Sequence, residues 1–178
     1  MPNAKEYMLP DTWTFRAHCE SNGKSYKVSY FHVMDLNNIH DWVTLKHAFE
    51  PGKAFSSWDL QYTLQGRTIS SFSLFKNGIR PEWEDAQNQH GFTCSLRGSF
   101  TETTINTLWN DLLLEAVRGG LAEHIQGIQI TQKCSRRMPS AKIDVWCSKE
   151  GAVDETLAAL NKLQNTDSTF SVVQRTLR

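Results

Sequence analysis

The chain has 178 residues, and its 19 basic side chains are balanced by 19 acidic ones, so its formal charge is zero. That balance excludes binding driven by overall charge, and a polyanion partner would need a local basic patch. The length predicts one domain whose core buries about two-thirds of the unfolded surface without a metal or disulfide staple.

Cys19, Cys94, Cys134 and Cys147 lack the two- to four-residue spacing of a zinc knuckle, and the six histidines form no His-Glu-x-x-His motif. The cysteines are therefore expected to be reduced thiols in a reducing, cytoplasmic setting, with no metal and no cofactor. The first ten residues carry no apolar run, so no signal peptide is expected. No run of about 18 apolar residues exists to span a membrane. No Gly-x-Ser-x-Gly, phosphate-loop lysine or dense carboxylate cluster argues for an enzyme.

In chain order, residues 1–9 read as a flexible arm and residues 10–178 as the single domain. TWTFRAH alternates, with Trp13, Phe15 and Ala17 on one face, and predicts a half-buried strand. Asn22-Gly23 is a hairpin turn leading into a second strand, Tyr26 to Met34. Asn37 or Asn38 then caps a helix in which Ile39, Trp42, Leu45 and Phe49 recur at helical spacing before Pro51-Gly52. The run 54–71 is polar and is assigned to no element. Phe72 to Phe75 and Gly91 to Leu96 predict short strands on either side of a loop, Gly78 to Asn88, rich in Gly, Pro, Asn and acids. Ile105, Leu108, Leu112 and Ala116 form the stripe of a second helix that Gly119-Gly120 stops. GIQIT and AKIDVWC predict strands, GAVDETLAALNKLQ a third helix, and Phe170 to Val173 a last strand. Three helices among many strands with short connections predict an α+β fold: an antiparallel sheet with helices packed on one face.

Three features could carry chemistry. In the loop, Trp83 precedes two carboxylates, Glu84 and Asp85. Tryptophan is highly buried on average, which favours a plug seating the loop on the core. The alternative is a π-face beside a hydrogen-bond acceptor, suited to a flat ring with donors on its edge, such as guanine. In AKIDVWC, strand alternation puts Lys142, Asp144 and Trp146 on one face and Ile143, Val145 and Cys147 on the other. The first set is either a solvated face with one stray aromatic or part of a site. With Lys133, Arg136 and Arg137 nearby, Lys142 makes a basic cluster that is either a solvated loop or a phosphate contact. Tyr26 opens a strand after a flexible turn, and edge-strand packing is its default role.

The run SLFKNGIRPEWEDAQNQHG closely resembles the signature of the eukaryotic translation initiation factor 4E family, which binds the 7-methylguanosine cap of mRNA. LWNDLLLEAV, IQGIQIT and AKIDVWCSKEGA resemble further family segments in the same order, and the likeness extends from about Pro10 to Val173. The resemblance implies a curved antiparallel sheet with three helices on its convex face and a cap pocket on the concave side. By position it implies that Tyr26 and Trp83 sandwich the methylated base, that Glu84 accepts from the guanine edge and that Trp146 touches the N7 methyl group. Lys142 and Lys133 would meet the phosphates, with Arg136 and Arg137 compensating for a short basic loop near the C-terminus.

The family's convex surface binds a helix carrying Tyr-x-x-x-x-Leu-Φ, where Φ is apolar, from a 4G-like scaffold factor or a repressor. Its contacts would fall on Pro10, Ile39, Trp42 (or Val43, one residue on), Asp111 and Leu114, while Trp109 is expected in the core. The chain departs from the family at Phe92-Thr93-Cys94, at Asn110, where a leucine is usual, and at Arg118-Gly119-Gly120. Tyr26 and Asn110 leave open a repressive paralogue that does not recruit the scaffold. A general single-stranded RNA module using the same aromatics is a third reading. In each case a monomer is expected.

Overall fold

The computed structural model describes residues 7–19, 30–49, 63–64, 66–98, 102–121, 123–134, 139–162 and 170–176. Its strands are β1 (Met8–Cys19), β2 (Tyr30–Asn38), β3 (Thr63–Leu64), β4 (Arg67–Lys76), β5 (Phe92–Gly98), β6 (Ile125–Cys134), β7 (Pro139–Cys147) and β8 (Phe170–Thr176). The helices are α1 (Ile39–Ala48), α2 (Glu102–Val117) and α3 (Gly151–Lys162). The strands form an antiparallel sheet in the order β2-β1-β4-β6-β7-β5-β8, and β3 makes a short extra ladder with β4. Register shifts interrupt the β1–β2, β1–β4 and β6–β7 ladders, and such bulges bend and twist a sheet.

Cross-strand register sorts the side chains into two faces. Phe15, Leu74, Ile128, Val145 and Cys94 lie on neighbouring strands along one face. All five are fully buried, in one core with Leu45 of α1, Trp109 and Leu112 of α2 and Leu160 of α3. Three helices therefore cover one face of the sheet, as the alternation of TWTFRAH and the helical stripes predict. The fully buried Trp109 is a core residue, as expected. Cys19, Cys94 and Cys147 are buried, in keeping with their reading as small apolar residues.

Helix α1 starts at a capping box. Asn38 Oδ1 accepts from the N–H groups of His40 and Asp41 at 2.9 and 3.1 Å, and the Asp41 carboxylate accepts from Asn38 N–H at 3.2 Å. Beyond α2, Gly119 has φ +75°, the left-handed conformation glycine adopts at little cost.

Several boundaries differ from the sequence reading. β1 begins at Met8, inside the segment 1–9 expected as an arm, because Met8 pairs with Asn38. β2 continues four residues past Met34, since Asp35 and Leu36 still pair with Thr14 and Trp13. Residues 26–29 lie outside the described residues. β4 starts at Arg67, within the run that the sequence assigns to no element.

Candidate functional site

Among the described residues the other sheet face carries no helix, and most of its side chains are polar. Thr14, Arg16 and His18 of β1 stand beside Phe75, Ser73 and Ser71 of β4, then Gly127, Gln129 and Thr131 of β6, then Trp146, Asp144 and Lys142 of β7. Buried polar groups need partners. Gln129 Nε2 donates to Ser71 Oγ at 3.2 Å, and Ser95 Oγ of β5 donates to Asp144 at 2.5 Å. The other Asp144 oxygen holds Lys142 Nζ at 2.6 Å.

The loop between β4 and β5 rises from one end of this face. Gly78, at φ +85°, turns the chain out of β4. Ile79 then packs with Phe75 and Trp146 in a small buried cluster, where the Phe75 and Trp146 rings meet edge to face at 5.5 Å. Gly127 makes room for this cluster, because a Cβ there would lie 2.3 Å from the Phe75 ring.

Asp85 is the staple of the loop. Its carboxylate accepts from Arg80 N–H and Gln87 N–H, both at 3.0 Å, and lies 3.5 Å from Arg80 Nε. Burial alone would raise this carboxyl, but the hydrogen bonds from Gln87 and Arg80 and the Arg80 charge outweigh it and hold the pKa below its ordinary value. Asn88 Nδ2 donates to the carbonyls of Arg80 and Glu82, each at 2.8 Å. From the sheet, Tyr30 OH donates to the Pro81 carbonyl at 3.0 Å and Arg16 Nη1 to the Ile79 carbonyl at 3.3 Å.

This frame presents Trp83 and Glu84. Trp83 is 54% exposed, so it is not the plug its residue type favours. The Glu84 carboxylate is exposed and takes no hydrogen bond or ion pair among the described residues. Trp146 is buried below the loop, its indole N–H without a partner. Lys142 shares its strand face, four residues or about 13 Å away. Trp83 and Glu84 thus stand on the loop whose Ile79 packs on Trp146, and Lys142 lies farther along the same strand face as Trp146. The backbone of Lys133 lies in β6, opposite Ser140. Tyr26, Arg136 and Arg137 lie outside the described residues.

On the helix side, Pro10, Ile39 and Leu114 are exposed, and Asp111 is partly buried. Burial and the neighbouring Glu115 raise the Asp111 carboxyl pKa. Trp42 does not belong with them: it is 9% exposed and packs in the core, while Val43, 40% exposed, is the apolar residue at that turn facing out. A one-residue step on a helix turns a side chain by about 100°, enough to exchange core for surface.

The hydrogen bonds from Arg16 and Tyr30 to the loop escaped the sequence reading. The signal was present in β1, where Thr14, Arg16 and His18 alternate with the apolar set. Their partners lie 51 to 63 residues away for Tyr30 and Arg16, a pairing that only the sheet topology defines.

Fold and site define a class: an α+β domain with helices on one sheet face and, on a loop at the end of the other, an exposed indole with a carboxylate beside it. Among the described residues no group of three His, Cys, Asp or Glu could hold a metal, and no helix is long and apolar enough to cross a membrane. The family model for eukaryotic initiation factor 4E matches residues 8–174, and the chain belongs to that family. It is 25% identical over 162 residues to eukaryotic translation initiation factor 4E1 of Drosophila melanogaster, covering 90% of this chain and 57% of the relative. It is 30% identical over 106 residues to eukaryotic translation initiation factor NCBP of Oryza sativa subsp. japonica, covering 59% and 40%. The chain thus spans about half the length of these curated relatives. Among solved structures, a schistosome eIF4E complexed with m7GpppA and 4E-BP superposes with a TM-score of 0.70 at 19% identity, covering 93% of this chain and 86% of that one. The eIF4E-3 of C. elegans, solved with the 4E-binding protein Mextli and a cap analog, gives 0.70 at 18%, covering 94% and 91%. At these identities the structural likeness establishes the fold.

Proposed function

We propose that this protein binds the 7-methylguanosine 5′ cap of mRNA as a cytoplasmic, monomeric, non-enzymatic binding factor, and that its helix face recruits translation initiation partners. One observation carries the reading: Trp83 is held on a braced loop with its indole open to solvent and the unpaired Glu84 carboxylate beside it. N7-methylation makes guanine cationic. An indole face attracts such a ring through a cation–π contribution of about 0.5–2 kcal/mol. The carboxylate complements the same charge and accepts from N1–H and the exocyclic amine. In this reading Tyr26 supplies the second aromatic plane, Trp146 meets the methyl group, and Lys142, Lys133, Arg136 and Arg137 serve the phosphates. The membership of the family and the names of its relatives support it.

The test is a fluorescence titration with 7-methyl-GTP and GTP. The methylated nucleotide should quench tryptophan emission at far lower concentration, and equal titration curves would sink the proposal. Glu84→Gln should weaken 7-methyl-GTP by about ten- to a hundredfold, the scale of a charged hydrogen-bond pair at about 1.5–3 kcal/mol. For recruitment, Ile39, Val43 and Leu114 supply exposed apolar side chains on α1 and α2 that suit the apolar face of a partner helix from a 4G-like scaffold or a repressor. Capture of a Tyr-x-x-x-x-Leu-Φ peptide by the protein, lost in Val43→Asp, checks that part.

A further inference from the structure

We propose that Arg16 and Tyr30 are positioning residues that set the loop carrying Trp83 from the sheet, and so set the affinity of the face it borders. The role in affinity rests on the cap-binding reading, while the bracing of the loop stands on geometry alone.

Four consecutive carbonyls precede Trp83, and each has a donor. Those of Arg80 and Glu82 receive Asn88 Nδ2, from within the loop. Those of Ile79 and Pro81 receive Arg16 Nη1 and Tyr30 OH, from β1 and β2. Two of the four carbonyls are thus satisfied from within the loop, where Glu82 N–H also donates to the Arg80 carbonyl at 2.7 Å, and two by the sheet. The segment is therefore gripped from loop and sheet up to the residue whose indole stands free.

Neither sheet donor is loose. Tyr30 packs its ring against His18 at 4.7 Å. Arg16 is partly buried, which pulls its pKa below the ordinary value, while Asp35, Tyr30 and Asp85 act in the opposite direction. The guanidinium donates to the Ile79 carbonyl with acidic groups near it, and its length bridges β1 to the loop. A loop with its backbone pre-set loses less conformational freedom on binding, so the bracing should appear as affinity.

The experiment uses three variants of the whole chain, Tyr30→Phe, Arg16→Met and Arg16→Lys, with two readouts. The first is amide hydrogen exchange without ligand at Asp85 and Asn88, whose N–H groups bond within the loop. The second is affinity for 7-methyl-GTP. Tyr30→Phe removes one neutral donor, so exchange at both amides should rise about two- to tenfold, and Arg16→Met removes a charged one, so the rise should be about tenfold or more. Affinity should fall by a similar factor, and Arg16→Lys, which keeps a donor, should recover part of both. Unchanged exchange in Tyr30→Phe and Arg16→Met overturns the bracing. Raised exchange with unchanged 7-methyl-GTP affinity overturns the positioning role. If the parent protein does not prefer 7-methyl-GTP over GTP, the cap-binding reading falls, and exchange alone decides the bracing.

Discussion

Replacing Asp85 by asparagine tests whether the loop is held by charge or merely by shape. The substitution keeps the side chain's size, but one oxygen becomes an NH2 group. In the parent both oxygens are used: one accepts from Gln87 N–H and the other from Arg80 N–H, each at 3.0 Å. Whichever way the amide turns, a donor then faces a donor, and the Arg80 guanidinium loses one of its two carboxylate partners, keeping Glu82 at 3.6 Å. One charged hydrogen bond is worth about 1.5–3 kcal/mol, and a buried donor left unpaired costs about 1–3 kcal/mol. A loss of about 2–4 kcal/mol is expected, because the exposed Arg80 regains water. Urea denaturation at pH 7 reads it as a lower midpoint at unchanged slope, and heating as a fall of about 4–16 °C. The pH dependence is a second check. The folded-state pKa of Asp85 lies below its ordinary value of 3.8, so the carboxylate's contribution is complete above the unfolded pKa. The difference between parent and variant should persist from pH 7 to about 4.5, shrink through 3.8 and vanish below the folded-state pKa. A variant matching the parent at pH 7 to within 0.5 kcal/mol, roughly the scale of a neutral surface change, would refute the staple.

Gly127→Ala places a methyl group against the Phe75 ring, so Phe75 and Trp146 must shift; a loss of about 1–3 kcal/mol and a changed tryptophan emission spectrum are expected in thermal and fluorescence scans. Trp42→Ala should cost about 3–5 kcal/mol in urea unfolding, whereas Val43→Asp should stay within about 0.5 kcal/mol, and the reverse order would return Trp42 to the surface. His18 is pushed down to about 4 by burial, with Arg67 adding to the shift. Its unfolded form therefore takes up a proton first as pH falls from 6.5, so stability should decline between pH 6.5 and 4, a slope that His18→Gln flattens in urea titrations at stepped pH.

Much of the helix-side architecture was legible because burial leaves a periodic mark. Trp13, Phe15 and Ala17 alternate, Ile105, Leu108, Leu112 and Ala116 recur at helical spacing, and both patterns point into the same core. The opposite face left a weaker mark. Its buried residues are Thr14, Ser71, Ser73, Gln129 and Asp144, which read in sequence as solvated. That is why β4 began five residues before the first phenylalanine without showing it, and why RTISS did not read as a strand. Asn38 was readable as a cap because capping is local, within three residues. The loop's Asp85 and Asn88 were legible as turn residues but not as staple and brace, since only the fold shows which backbone groups they meet. Trp42 and Val43 were ambiguous because both are apolar and adjacent, and the helix phase alone separates them.

The two halves of the site are fixed by different means, and this bears on how each meets a ligand. Around Trp83 every backbone acceptor from Ile79 to Glu82 is engaged, so the exposed indole and the free Glu84 carboxylate need no partner released before a ring docks. At the other end Lys142 is already paired with Asp144, which Ser95 also holds. An anion reaching Lys142 must share or displace a charge partner at 2.6 Å, so the net gain from that contact is smaller than for a free lysine. On the proposed cap-binding reading, selectivity for the ring and affinity for its phosphates are therefore separable on this face. The first rests on a backbone frame that is complete before binding, and the second on exchanging one ion pair for another, which salt weakens.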